Sequence, residues 1–213
     1  MPHERVRTTI VACSLAALAL GGKTPAVRAQ QPAASSAPAY TTADVQFMQG
    51  MIGHHAQAVV MAAMAPTHGA SAQVSAFCRK IIISQRDEIE LMQTWLRDRG
   101  ETVPDPGDAG AHEAMHAGMR MDSGTMRMPG MLTAQQLTQL DQARRATFDR
   151  LFLEFMIQHH LGALTMVATL FDSPGAGQTP DIFGYATGVD ADQRAEIERM
   201  QGMLSTISGR APQ

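Results

Sequence analysis

Asp44 to Ala63 reads DVQFMQGMIGHHAQAVVMAA, and Asp149 to Ala168 reads DRLFLEFMIQHHLGALTMVA. The two stretches agree at nine of twenty positions, among them Met51 and Met156, His54 and His159, His55 and His160, Ala58 and Ala163, and Met61 and Met166. A second match follows each: Gln85 to Leu96 (QRDEIELMQTWL) and Gln193 to Leu204 (QRAEIERMQGML) share eight of twelve residues. Each half is therefore a two-segment unit, the first bearing Met and paired His, the second bearing Gln, Glu and Met. An internal repeat of this length fixes architecture before any local reading.

Both segments carry helical periodicity. With Met51 at zero and about 100° per residue, His54, His55, Ala58 and Met61 fall inside an arc of about 120°. Met156, His159, His160, Ala163 and Met166 repeat that arc. Thr41-Thr42-Ala43-Asp44 is a capping-box start, and Pro66 forbids continuation of the first helix. A second helix is expected from near Ser71 to before Gly100, with Ile81, Ile82, Ile89, Met92, Trp95 and Leu96 on its apolar face. Thr133 caps a short helix containing Leu137 and Leu140, which leads into a third long helix over Ala146 to Phe171. Ser173 to Gln178 is a Gly/Pro turn, and Thr179-Pro180 opens a fourth long helix to Ser208, weakened at its start by Gly184 and Gly188. The expected fold is all-α: a four-helix bundle of two repeated hairpins within residues 41–208, with halves at 41–99 and 133–208 and a long Met-rich crossover at 100–132.

Residues 1–29 have the layout of a secretory signal: Arg5 and Arg7 precede an apolar run from Thr8 to Leu20, and Val27-Arg28-Ala29 offers a cleavage site. Cys13 faintly resembles a lipid-attachment box but stands too early in the apolar run. Residues 30–40, rich in Pro, Ala and Ser, read as a disordered leader. No later apolar run reaches the 18 or so residues of a membrane span. The expected location is the periplasm or the extracellular space. Cleavage leaves 13 basic against 19 acidic residues, a net charge of about −6 that argues against a nucleic-acid partner. Cys78 is then the one remaining cysteine, so no intramolecular disulfide can form; its repeat counterpart is Ala186, which favours a small buried residue over a ligand.

The chemistry lies in the repeated His-His pairs and the methionines around them. Imidazole suits copper, zinc and nickel, whereas a thioether is soft and selects Cu(I). A mixed His and Met set in an exported protein points to copper before zinc. The candidate ligands in the bundle are Met51, His54, His55, Met61, Met156, His159, His160 and Met166, joined by Met92 and Met200 of the second segments. Glu88 and Glu196, four residues before those last two methionines, are candidates to orient a ligand histidine through its second nitrogen; a surface ion pair with Arg86 or Arg194 is the alternative. Met48, Met61, Met92 and Met166 also have the spacing of plain core packing. In the crossover, HEAMHAGMRMDSGTMRMPGM (residues 112–131) adds His112, Met115, His116, Met119, Met121, Met126, Met128 and Met131 as a second soft-metal candidate, or as a loop folding its methionines over the bundle.

These motifs resemble the domain of unknown function 305 family: Met51-Ile52-Gly53-His54-His55 with Ala58, Glu88-Ile89 with Met92, Gly130-Met131, and Phe148-Asp149 through Ala163. The resemblance runs from Thr42 to Leu204 and demands two spaced His-His motifs in order. It implies a ferritin-like fold and a role in binding or buffering copper at the His and Met positions named above. The ligand chemistry puts Cu(I) first and Cu(II) second, and a periplasmic copper donor or acceptor protein and a homodimer are open as partners. The expected function is thus non-enzymatic copper sequestration, contributing to tolerance or handover. Competing readings are a helical interaction protein without metal and a di-iron oxidase on the same bundle. The latter needs repeated core carboxylates and Glu-x-x-His motifs, and the sequence offers only Glu113 to His116. A haem protein is disfavoured by the absence of a Cys-x-x-Cys-His motif.

Overall fold

The computed structural model describes residues 40–107, 128–207 and 209. Those residues form α1 (Thr42–Ala63), α2 (Ala65–His68), α3 (Ala72–Asp98), α4 (Ala134–Gln142), α5 (Ala146–Asp172) and α6 (Pro180–Ile207), with no strand among them. The signal segment, most of the leader, and His112, Met115, His116, Met119, Met121 and Met126 of the crossover lie outside the described residues.

The helix ends follow from local chemistry. Thr41 accepts from the Asp44 backbone N–H while the Asp44 carboxylate accepts from the Thr41 N–H, a complete capping box. Thr133 and Gln136 repeat that arrangement at α4. Ser71 caps α3, and Gly69 (φ 67°) supplies the left-handed residue that ends α2 and turns the chain back. Tyr40, just ahead of the first cap, sits edge-on to Trp95 at 5.1 Å and donates to Glu101 at 2.8 Å. Gly184 and Gly188 do not interrupt α6, because both lie on an open face with no neighbour within 4 Å of a would-be Cβ.

α1 pairs with α3 and α5 with α6, and the two hairpins join through α1 against α5. Ala58 shares a cluster with Met156, and Met51 shares the other with Ala163, so α1 and α5 run antiparallel about a local twofold axis. The first residues of the repeated stretches lock the halves reciprocally. Asp149 accepts from the Ser71 N–H at the turn of the first half, and Asp44 accepts from the Gly177 N–H at 2.7 Å at the turn of the second. Both carboxylates are buried; hydrogen bonds to charged groups of this kind contribute about 1.5–3 kcal/mol each.

α5 is long and apolar enough, by length and composition, to match a membrane span, against the expectation that no such run follows the leader; half of that window is buried inside the bundle. Its apolar residues Phe148, Phe152, Leu153 and Met156 are core. Cys78 is buried as well, beside the apolar residues of the first cluster, and burial pushes its thiol up to about 12. Its counterpart Ala186 is buried in the other cluster.

Where the crossover returns, Pro129 and Gly130 lie directly on α5. A Cβ on Gly162 would sit 2.1 Å from the Pro129 carbonyl oxygen, so only glycine lets the strap pass. Gly162→Ala is expected to cost about 1–3 kcal/mol by overpacking, whereas Gly184→Ala should gain about 0.5–1 kcal/mol from helix propensity. Thermal unfolding of the two variants checks this; equal melting temperatures would show that the strap does not hold its seat on α5.

Candidate metal centre

Two apolar clusters fill the bundle, and a polar layer separates them. On α1 the layer is His54 and His55, between Met51 in one cluster and Ala58 in the other. On α5 it is His159 and His160, between Met156 and Ala163. α3 contributes Gln85 and Glu88 between Ile81 and Ile89, and α6 contributes Gln193 and Glu196 between Val189 and Ile197. Every helix of the repeat thus places polar residues at the same level, which is the physical content of the repeated motifs.

The four histidines are at most 1 % exposed. The His54 and His159 rings lie 3.8 Å apart between centroids, across the local twofold, and His159 and His160 lie 6.2 Å apart. Glu88 accepts from His55 Nε2, and Glu196 accepts from His160 Nε2 at 2.6 Å. A carboxylate accepts, so each of these bonds places a proton on Nε2 and directs Nδ1 the other way. His54 Nε2 donates to the Pro129 carbonyl at 3.0 Å, which places its proton on the same ring nitrogen. Among the described residues, Nδ1 of His54, His55 and His160 and both nitrogens of His159 have no hydrogen-bond partner. Five buried imidazole nitrogens are therefore unsatisfied within one layer.

Burial, followed by the neighbouring imidazole of His55, pushes His54 down to about 3. Burial, then His54, holds His159 well below the ordinary histidine range. Both rings are neutral at neutral pH, the state in which imidazole ligates a metal.

Sulfur surrounds this layer. Met51 and Met92 are fully buried in one cluster with Met166 packed against it; Met61, Met156 and Met200 are fully buried in the other. Gly50 of α1 opens room for two further methionine contacts: a Cβ there would lie 3.3 Å from the Met166 methyl and 3.6 Å from Met128 Sδ. Met128 of the crossover thus reaches the α1–α5 groove beside Gly50, while Met131 sits half-buried at the strap's end. No group of three or more His, Cys, Asp or Glu side chains among the described residues is gathered around a single point. Any shell built here would combine imidazole with thioether, the combination that suits soft ions.

The strap breaks the twofold. Gln57 donates to the Leu132 carbonyl at 3.3 Å and accepts from the Leu132 N–H at 2.7 Å, and Gln158 donates to the Gly130 carbonyl at 3.3 Å. Their repeat counterparts are Gly162 and Gly53. Opposite Gln57, whose amide grips the strap, α5 supplies Gly162, which lets the strap by. These residues, and the carbonyl of Pro129, were not legible as part of the centre from sequence; the reciprocal Gly/Gln exchange within otherwise matching stretches is the signal that marks them.

The model of the domain of unknown function DUF305 matches residues 44–204. The chain belongs to the DUF305 family. Among solved structures, a DUF305 fragment from Deinococcus radiodurans is 28% identical, with a TM-score of 0.63 over 78% of this chain and 98% of that one. CopM in its Cu(II)-bound form is 26% identical, with a TM-score of 0.57 over 76% of this chain and 96% of that one. CopM in its Cu(I)-bound form has the same identity and coverage and a TM-score of 0.55. No curated protein matches the chain. The all-helical fold of this DUF305 member agrees with those relatives.

Neutral burial of His54 and His159 makes the metal-free protein acid-sensitive. Their folded pKa values lie below the unfolded one, so between about 6.5 and 3 the unfolded chain binds protons that the folded chain does not. Stability is therefore full above pH 6.5 and declines as pH falls through that window, with a slope approaching about 3 kcal/mol per pH unit for the two groups together. Urea melts from pH 7 to pH 4 should show this, and replacing both histidines with Leu should flatten the profile.

Proposed function

We propose that this DUF305 protein is an exported, non-enzymatic copper-binding protein that sequesters or buffers copper and contributes to copper tolerance or handover. The observation that carries the reading is the buried imidazole layer with five unpartnered nitrogens, flanked on both sides by buried thioethers. The copper-bound forms of CopM, at 26% identity, support the same choice of metal.

The roles divide by chemistry. His54, His55, His159 and His160 offer imidazole nitrogens, and hydrogen bonds to Pro129, Glu88 and Glu196 set the direction of the His54, His55 and His160 rings before an ion arrives. Glu88 and Glu196 position two of those rings by holding their Nε2 protons. Met51, Met61, Met92, Met156, Met166 and Met200 supply soft sulfur that needs no deprotonation at any pH, with Met128 and the remaining crossover residues as a capture surface. Such a set favours Cu(I) and rejects hard ions. Cu(II) is met first by the histidines. A copper ion kept among thioethers and out of water is withheld from redox cycling and from other proteins' sites.

The decisive measurement is titration of the signal-cleaved protein with Cu(I) against a competing chelator, repeated with His54, His55, His159 and His160 changed to Ala. Loss of at least one bound ion per chain is expected; unchanged stoichiometry and affinity would move the site to the crossover. Glu88→Ala should weaken Cu(I) by about 10–100-fold through lost ring orientation. Binding at a hundredfold excess over Kd should raise stability by about 2.7 kcal/mol. A helical scaffold without metal would show no such gain.

A further inference from the structure

The four histidines are buried, so an ion bound among them must first be met nearer the surface. Met51, Met61, Met92, Met156 and Met200 are fully buried too. Met166 is not: it is half-buried, although its repeat mate Met61 is sealed. The repeat is therefore open to solvent at one methionine and closed at the matching one.

Gly50 accounts for where that methionine goes. The matching position of α5 is Phe155, so α1 carries glycine where its mate carries a bulky apolar side chain. Glycine inside a helix is disfavoured relative to other residues, so α1 gives up stability for open space at this point. Two thioether side chains enter the space: a Cβ on Gly50 would lie 3.3 Å from Met166 Cε and 3.6 Å from Met128 Sδ. One comes from the bundle and one from the strap, and both are half-buried. Gly50 and His54 stand four residues apart on α1, hence one turn apart on the same face. The strap joins the same two places, because Met128 precedes Pro129, whose carbonyl accepts from His54 Nε2 at 3.0 Å. A half-buried thioether pair thus lies one helical turn from a buried imidazole whose Nδ1 has no partner.

We propose that Met128 and Met166 over Gly50 form an entry site that takes Cu(I) from solvent and passes it to His54. The inference rests on the copper-binding reading and assigns these two thioethers to the way in. Transfer is an exchange of dative bonds: those from sulfur to the ion break as the bond from His54 Nδ1 forms. The ion stays Cu(I), and neither sulfur has a proton to lose. Two thioethers select a soft ion, yet hold it weakly enough to yield it to a shell that adds imidazole.

The test is stopped-flow uptake of Cu(I) by the full chain from a chromogenic chelator, without oxygen, with release to excess chelator followed in reverse. Met128→Leu combined with Met166→Leu conserves volume. It should slow uptake and release together by about tenfold, with affinity kept within about threefold. Parallel slowing marks the loss of a way station, whereas losing a ligand of the resting site speeds release. Met64→Leu, half-buried at the C-terminal end of α1, should keep both rates. Unchanged uptake in the double variant, or faster release with normal uptake, overturns the proposal while copper binding stands. Should the unaltered chain take up no Cu(I), the copper-binding reading falls and this inference with it. If the double variant fails to fold by circular dichroism, Met166→Leu decides alone, and unchanged uptake there overturns the proposal.

Discussion

A nitrogen buried without a partner costs about 1–3 kcal/mol, and the centre of this bundle holds five of them in one layer. Their sum is comparable to the whole stability of an ordinary domain, about 5–15 kcal/mol. The rest of the structure is arranged to tolerate that cost. An apolar cluster on either side of the layer, each containing fully buried methionines, supplies the compensating burial. The reciprocal bonds from Asp44 and Asp149 to the opposite half's turn tie the two hairpins together at both ends of the core. Such a layer is expensive as scaffold and useful as a ligand set.

The pseudo-twofold makes the layer and the strap then makes its halves unequal. Residues 129–132 cross the groove between α1 and α5, gripped by Gln57 and Gln158 and admitted by Gly162. One consequence reaches the imidazoles. His54 gives its Nε2 proton to Pro129, while its symmetry mate His159 has no partner on either nitrogen. His159 is therefore free to choose its tautomer and His54 is not. A symmetric sequence motif has become an asymmetric donor set through the chain that joins its copies.

Most of the architecture could be read from the repeat. The capping residues Thr41, Ser71 and Thr133 mark helix starts because a side-chain acceptor must satisfy the first free N–H groups, and that rule is local. The level at which His54, His55, His159 and His160 sit was legible from helical spacing. The pairing of Glu88 with His55 and of Glu196 with His160 was narrower to read, since Arg86 and Arg194 offered competing partners; Arg194 binds Asp190 instead. What sequence could not give was the strap. Its contacts join residues more than 70 positions apart, as in Gln57 with Leu132, and no local periodicity encodes such a crossing. The apolar length of α5 was misjudged for a related reason: a helix buried on several sides, with interspersed Gln and His, looks less apolar to the eye than its mean hydropathy makes it.

Burial does two things to these histidines that pull in opposite directions. It removes water, which keeps His54 and His159 neutral and ready to donate a lone pair far below the ordinary titration range. It also closes the direct path, since at most 1 % of each ring is reachable from solvent. Exchange of a bound ion must then pass through whatever covers the layer, and the strap, which touches His54 itself, is one such cover, held by hydrogen bonds from Gln57, Gln158 and His54 to backbone atoms and by the buried Leu132. Each of those hydrogen bonds contributes about 0.5–1.5 kcal/mol. Because His54 is both a candidate ligand and one of the strap's own fastenings, turning its ring toward an ion would loosen the cover over the same site, coupling capture of the ion to access.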